Sequence, residues 1–389
     1  MENTIEKFDK YVIHSYGRYA LVMENGEGRR CEDENKRQYI DFGSGIGTNS
    51  LGFCDEKWSD AVCNQVKKLQ HNSNYYYTAV QAEFAEKLCE TTGYQKVFFC
   101  NSGAEANECA IKSARKYSFD KYGKGRHNII TLVNSFHGRT MATLSATGQE
   151  VFHNYFFPFL EGFINVTAND IQDLKVKIDD TVCAVMLEYV QGEGGVNALE
   201  KDFVDEIYKI CAEKDILVIA DEIQTGVGRT GKFLAGEHFD KKADITTLAK
   251  GIAGGIPMGA CLFGEKVKDV LTPGTHGSTF GGNPIACAGG IVVTDRLNSL
   301  GFLDEVNKKA IYFREKLEKC KEVESISGMG LMIGISLKNK SASDVAKSAL
   351  ENGLLVLTAK NKIRLLPPLT IDYSEIDDGL DILIRIMEG

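Results

Sequence analysis

Six short apolar runs punctuate the middle of the chain: KVFFC (96–100), HNIITLV (127–133), CAVMLEYV (183–190), ILVIADE (216–222), DITTLAK (244–250) and ACLFG (260–264). They read as buried strands, and helical patterns lie between several of them, as at 104–117 and 201–213. That alternation specifies an α/β layer around a mainly parallel central sheet. Polar residues collect at the carboxyl ends of these strands, where open α/β sheets bind ligands. The segments 1–45 and 285–389 read differently. The latter holds long helical patterns, then GMGLMIGISL and LLVLTAKNKIRLLPPL, which suit strands of a smaller α+β unit. The expected division is a large domain over 46–284 and a small domain built from 1–45 and 285–389.

At 389 residues the chain exceeds one simple core, and 43% hydrophobic with 25% charged residues is ordinary for a soluble protein. A net charge of −9 argues against a nucleic-acid partner. No run of apolar residues is long enough for a membrane span, and MENTIEKFDKYVIHSYGR lacks the basic and apolar regions of a secretory signal. The eleven cysteines are scattered without a C-x-x-C pair, and Cys100, Cys183 and Cys261 sit inside apolar runs. That pattern suits a reducing cytoplasm, with neither zinc nor a disulfide framework.

Three stretches carry chemistry. In FFCNSGAEANECAIKSARK (98–116) a strand ends in a small-residue turn and a helix begins. Ser102, Gly103 and Ala104 there form an anion cup suited to phosphate, or the cap of an ordinary helix. In LVIADEIQTGVGRTG (217–231), GVGRTG matches G-x-G-x-x-G. A dinucleotide fingerprint, however, needs its glycines directly after the strand and opening a helix. Asp221, at the tip of the strand, needs a cationic partner: a structural arginine or a protonated ring nitrogen. In TLAKGIAGGIPMG (247–259), Lys250 follows a buried strand and precedes glycines that leave room for a bulky group. Burial lowers a lysine's pKa and frees its amine as a nucleophile. A phosphate cup, an acid at one strand tip and a lysine at another are together the requirements of pyridoxal phosphate.

FFCNSGAEANE, FHGRT, VQGEGGV, ADEIQTGVGRTG, LAKG and HGSTFGGNP follow, in order, the motifs of the class III aminotransferases, and the chain resembles that family over nearly its whole length. The resemblance implies fold type I and pyridoxal 5′-phosphate as cofactor. It implies a ping-pong transfer of the δ-amino group of N-acetylornithine to 2-oxoglutarate. It makes Lys250 the Schiff-base lysine and proton shuttle, Asp221 the partner of the ring nitrogen, and Gln224 that of the phenolic oxygen. Ser102, Gly103 and Ala104 would hold the phosphate, and Phe136 would stack on the ring. Thr279 would reach the phosphate of a neighbouring subunit, which implies a homodimer with shared sites. Arg139 and Ser278 match positions that contact the amino donor. Arg364 matches the arginine that grips the α-carboxylate of glutamate or 2-oxoglutarate, and Glu193 the acid that masks it. Two departures stand out: Tyr189 where relatives usually have Pro, and Phe53 where His is usual.

Overall fold

The computed structural model describes residues 3–389. At its centre is a seven-stranded sheet. Its order in space is Lys96–Cys100, Gly259–Phe263, Ile245–Leu248, Leu217–Asp221, Val182–Leu187, Asn128–Leu132 and Phe163–Val166. Only Gly259–Phe263 runs against its neighbours, on both sides; the remaining pairs are parallel. The mainly parallel sheet thus matches the expectation, with an antiparallel member and a seventh strand, Phe163–Val166, that the apolar runs did not reveal.

Every residue of the four strands Val182–Leu187, Leu217–Asp221, Ile245–Leu248 and Gly259–Phe263 is buried. Both faces of the sheet are covered, which is why these strands read as unbroken apolar runs. The alternation of side chains still sorts them by face. Ala184, Met186, Leu217 and Ile219 pack with Cys109, Ala110 and Ala114 of the helix Gly103–Tyr122. Val185, Leu187, Val218 and Ala220 pack with Phe203, Val204 and Ile207 of the helix Lys201–Lys214.

The two ends of the chain share a second assembly. Met23–Glu27, Arg30–Asp33 and Gln38–Asp41 form an antiparallel sheet that Leu354–Leu355 joins in parallel. Beside it, Val323–Met329, Met332–Leu337, Lys362–Leu365 and Leu357–Ala359 form another four-stranded sheet. Phe42 meets Phe313 edge-on, with ring centroids 5.3 Å apart. Gly379 leaves Phe42 its space, since a Cβ there would lie 2.2 Å from the ring.

Residues 223–230 form successive turns, followed by the short 3-10 helix Ala235–Phe239. GVGRTG therefore opens no helix, and the dinucleotide reading of that stretch falls. Among the described residues no helix is long and apolar enough to cross a membrane, and all eleven cysteines are free.

The strand Gly259–Phe263 lies tightly against the turn before the helix Gly103–Tyr122: a Cβ on Gly259 would sit 2.3 Å from the Ser102 carbonyl oxygen. Because the obstacle is backbone, Gly259→Ala is expected to cost about 1–3 kcal/mol in urea denaturation and to weaken retention of any ligand at that helix end. Unchanged stability and retention would contradict the packing.

Candidate active site

A cavity of about 430 Å³ opens at the carboxyl ends of the central strands. Its lining includes Ser102, Gly103, Ala104, Phe136, Arg139, Glu193, Asp221, Gln224 and Lys250. Nine of the expected residues thus share one wall system, although they come from five separate stretches of chain.

Asp221 ends its strand with 3% exposure. Its Oδ2 accepts from Asn107 Nδ2 and faces His137 Nδ1, both at 2.8 Å, and its Oδ1 accepts from the Ile223 N–H at 3.1 Å. Asn107 donates also to the His137 carbonyl at 2.7 Å and accepts from Thr247 Oγ1 at 2.8 Å. Burial alone would lower the pKa of His137, but its hydrogen bond to Asp221 and that residue's charge outweigh burial and raise it. Neither Asn107 nor His137 was singled out from the sequence. The only signal was their place in motifs already marked, five residues after Ser102 and directly after Phe136.

Lys250 starts a short 3-10 helix with φ of +44°. A non-glycine residue in the left-handed region costs about 1–3 kcal/mol and persists only where its surroundings impose it. Burial holds its pKa below the ordinary lysine range and the nearby Arg364 adds to the depression, against the charges of Glu193, Asp221 and Glu188. The amine is therefore more readily neutral than that of a surface lysine.

Across the cavity, Ser102 caps the 20-residue helix Gly103–Tyr122 by accepting from the Glu105 N–H at 3.2 Å. The first-turn N–H groups at Gly103 and Ala104 have no intrahelical acceptor, and the helix dipole adds partial positive charge there. A Cβ on Gly103 would lie 2.8 Å from Ile223, so the backbone is close to the cavity wall. Phe136 is fixed by its N–H, which donates to Glu188 Oε1 at 2.7 Å.

Arg364 is buried, and its Nη1 donates to Glu193 Oε1 at 2.5 Å and to Gln224 Oε1 at 3.2 Å. Gln224 Nε2 donates in turn to Glu193 Oε1 at 3.3 Å. Burial opposes ionisation of Glu193, but Arg364 holds its pKa below the usual carboxylate range. The Nε of Arg364 is buried without a partner. Gln224 thus belongs here to the arginine–glutamate pair. Arg139 differs: it is exposed, with its guanidinium 4.3 Å from the Phe152 ring centroid and 5.5 Å from that of Phe136.

Ser278 lies outside the lining, and its Oγ accepts from Nδ2 of the lining residue Asn101 at 3.1 Å. Thr279 is exposed and lies outside the lining of this chain's cavity. The Phe280 beside it is also exposed, as are Tyr75 and Tyr77 of a loop that Asn74 ties to the Ser278 and Gly281 carbonyls.

The profile of the family Aminotransferase class-III matches residues 11–387. An acetylornithine aminotransferase of Caldanaerobacter subterraneus subsp. tengcongensis is 49% identical over 389 residues, covering 99% of this chain and 98% of that protein. The solved N-acetylornithine aminotransferase of Stenotrophomonas maltophilia K279a superposes with a TM-score of 0.84 at 34% identity, covering 96% of each chain. The ornithine aminotransferase of Toxoplasma gondii, solved with pyridoxal phosphate at partial occupancy in its active site, gives a TM-score of 0.93 at 32% identity. It covers 98% of this chain and 93% of that one.

Burial pushes the pKa of Glu188 up from 4.5 to about 7. Across that window the native chain keeps a proton that the unfolded chain has lost, so this group makes stability fall as pH rises through it. Glu188→Gln removes the titration. Urea denaturation at pH 5 and pH 8 should then show a pH-dependent loss smaller than wild type by about 2 kcal/mol. An identical pH dependence in variant and wild type would rule the assignment out.

Proposed function

The chain belongs to the class III aminotransferases, and from that premise we propose that it moves the δ-amino group of N-acetylornithine to 2-oxoglutarate. The products are N-acetylglutamate 5-semialdehyde and glutamate, in the direction of arginine biosynthesis. The observation that carries the reading is the buried Arg364 with a glutamate on one nitrogen and another nitrogen unpaired. A buried guanidinium in that state is a carboxylate receptor held shut by Glu193, a side chain that lines the cavity in front of it. Arg139 supports the other half: its guanidinium rests on aromatic faces and has no ion pair among the described residues, which suits the carboxylate of a second, differently shaped substrate. The near-full-length likeness to acetylornithine aminotransferases supports the choice of donor.

The residues present fit pyridoxal phosphate. Lys250 would hold it covalently; Ser102 and the N–H groups of Gly103 and Ala104 would take its phosphate. Asp221 would keep its ring nitrogen protonated, since a nearby carboxylate favours the charged form. Gln224 and Phe136 would meet its phenolic oxygen and its face. When bound, the cofactor supplies a carbonyl for the amino group and a sink for the electron pair released at the substrate carbon. Because its pKa is lowered, the Lys250 amine is more readily neutral than a surface lysine's, and it would take the proton from that carbon and pass it on to the cofactor rather than back to the same carbon. Glu193 covers Arg364 while the donor is present and withdraws when the carboxylate of 2-oxoglutarate arrives; leaving the arginine unpaired would cost about 3–5 kcal/mol.

The exposed patch of Tyr75, Tyr77 and Phe280 around Thr279 supports a homodimer in which Thr279 completes the phosphate site of the partner, and the free cysteines suit a cytoplasmic enzyme. Sedimentation velocity should return a dimer, and Thr279→Ala should loosen cofactor binding while leaving the dimer intact; a monomeric active enzyme would refute the arrangement.

The donor is tested with a panel of amines and 2-oxoglutarate as acceptor. N-acetylornithine should lead in kcat/KM, and a lead for free ornithine, succinylornithine, 4-aminobutyrate or succinyldiaminopimelate would replace this reading. In Glu193→Ala the acetylornithine half-reaction should slow by about tenfold or more relative to the glutamate one. Equal losses would remove Glu193 from this role.

A further inference from the structure

GVGRTG gains no role from cofactor or substrate, yet its arginine is among the most enclosed charges of the chain. Arg229 is 2% exposed, and burial holds its pKa down to about 9. It grips Leu331 in both directions. Its Nη1 donates to the Leu331 carbonyl at 3.1 Å, and the Leu331 N–H donates to the Arg229 carbonyl at 3.0 Å. The same Nη1 donates to the Pro367 carbonyl at 2.5 Å. Leu331 directly precedes the strand Met332–Leu337, and Pro367 lies two residues beyond the strand Lys362–Leu365. These strands are antiparallel neighbours, with Gly334 opposite Arg364. One guanidinium therefore pins the adjoining ends of the two strands that carry and support Arg364.

A third segment rests on it. Ser44, Gly45, Ile46 and Gly47 all have positive φ (42°, 62°, 63° and 73°). Asp41 Oδ1 shapes this turn by accepting from the Gly43 and Ser44 N–H groups at 2.7 and 2.9 Å, and it is the acid whose charge faces Arg229. A Cβ on Gly47 would lie 3.8 Å from Arg229 Nε and 3.6 Å from Leu366. Ser44 Oγ donates to the Leu366 carbonyl at 2.6 Å, and the Leu366 N–H donates to the Phe42 carbonyl at 2.7 Å. The turn thus closes over the stretch that follows Arg364, and the next residue, Thr48, lines the cavity.

Resting on the reading of Arg364 as the carboxylate receptor, we infer that Arg229 is a positioning residue for 2-oxoglutarate. It fixes where Arg364 stands by anchoring that strand to the loop that also carries Asp221 and Gln224. Stability is a weak explanation for such a residue. Its Nη2 is buried without a partner, and apolar side chains of similar volume commonly replace buried charges at no loss. Position is the stronger one: a displacement of about 1 Å at a reacting group costs about 10²-fold in rate. Arg139 stands on another segment, after the strand Asn128–Leu132, whereas the Arg229 guanidinium donates to Leu331 and Pro367.

The test follows the two half-reactions separately in the holoenzyme of Arg229→Met. The value of kcat/KM for 2-oxoglutarate should fall about 10²-fold, while that for the amino donor stays within about threefold. Arg229→Lys, which keeps the charge without the planar fork, should lose selectively but less. If near-UV circular dichroism shows that Arg229→Met does not fold, Ser44→Ala releases the same stretch at Leu366 without removing a buried charge, and the same selective loss is expected. Equal losses in both half-reactions, or none, overturn the positioning role. Arg364→Ala run alongside separates the two readings. A selective loss there with none in the Arg229 variants removes only the positioning role. An unselective Arg364→Ala removes the carboxylate reading and the positioning role with it.

Discussion

A carboxylate at the end of a fully buried strand is the demand to which the rest of this structure responds. Taking Asp221 out of water costs several kcal/mol unless hydrogen bonds replace the lost hydration. Asn107, His137 and the Ile223 N–H supply them, and Thr247 holds Asn107 in turn. The helix Gly103–Tyr122, the loop after the strand Asn128–Leu132 and the strand Ile245–Leu248 are thereby brought to one point. The consequence is positional. Ser102 lies five residues before Asn107, Phe136 adjoins His137, and Lys250 lies three residues after Thr247. Satisfying one buried acid thus delivers the helix terminus, the aromatic face and the amine to the same cavity.

The contrast between Asp221 and its neighbour shows what strand geometry adds to composition. Glu222 is equally buried, but successive side chains leave a strand in opposite directions. Its carboxylate accepts from Thr225 Oγ1 and from the Ala235 and Gly236 N–H groups, all at 2.8 Å, and so closes the turns 223–230 onto the following 3-10 helix. Burial raises its pKa to about 7. One acid of the pair serves the cavity and the other serves the loop, a division invisible in the letters DE.

Much of the sheet was legible because strands buried on both faces must be apolar throughout. Lys250 and Asp221 were legible because a charge beside such a run is costly without a purpose. The antiparallel sense of Gly259–Phe263 was not, since an apolar run has no direction. Asn107 and His137 were hidden because their task depends on side chains far apart in sequence. The two departures from the family pattern became interpretable only with packing in view. Tyr189 stacks on Phe239 with ring centroids 5.0 Å apart, its hydroxyl lies 2.6 Å from that of Tyr208, and its carbonyl accepts from the Leu199 N–H at 2.9 Å. Packing and hydrogen bonds thus hold the backbone leading to Glu193, where a proline ring would have restricted it. Phe53 lies under Gly26, where a Cβ would come within 2.6 Å of its ring, and pairs through its backbone with Gly28. It serves the N-terminal sheet rather than the cavity.

The same loop that begins with Asp221 passes Gln224 and ends at Arg229, so it spans from the acid beneath the cavity to the strand that carries Arg364. A loop of turns is ordinarily mobile, because few apolar contacts hold it. Here the constraints come from what surrounds it: Glu222 ties its start to the Ala235 and Gly236 N–H groups, Gly228 packs so tightly that a Cβ would lie 2.3 Å from Leu297, and just beyond it Gly231 leaves no room beside Asn307. Rigidity of that kind converts a stretch of glycines into a spacer of defined length. GVGRTG then owes its glycines to close packing and its arginine to the strands it joins, which is why it resembles a phosphate-binding loop in spelling and not in structure.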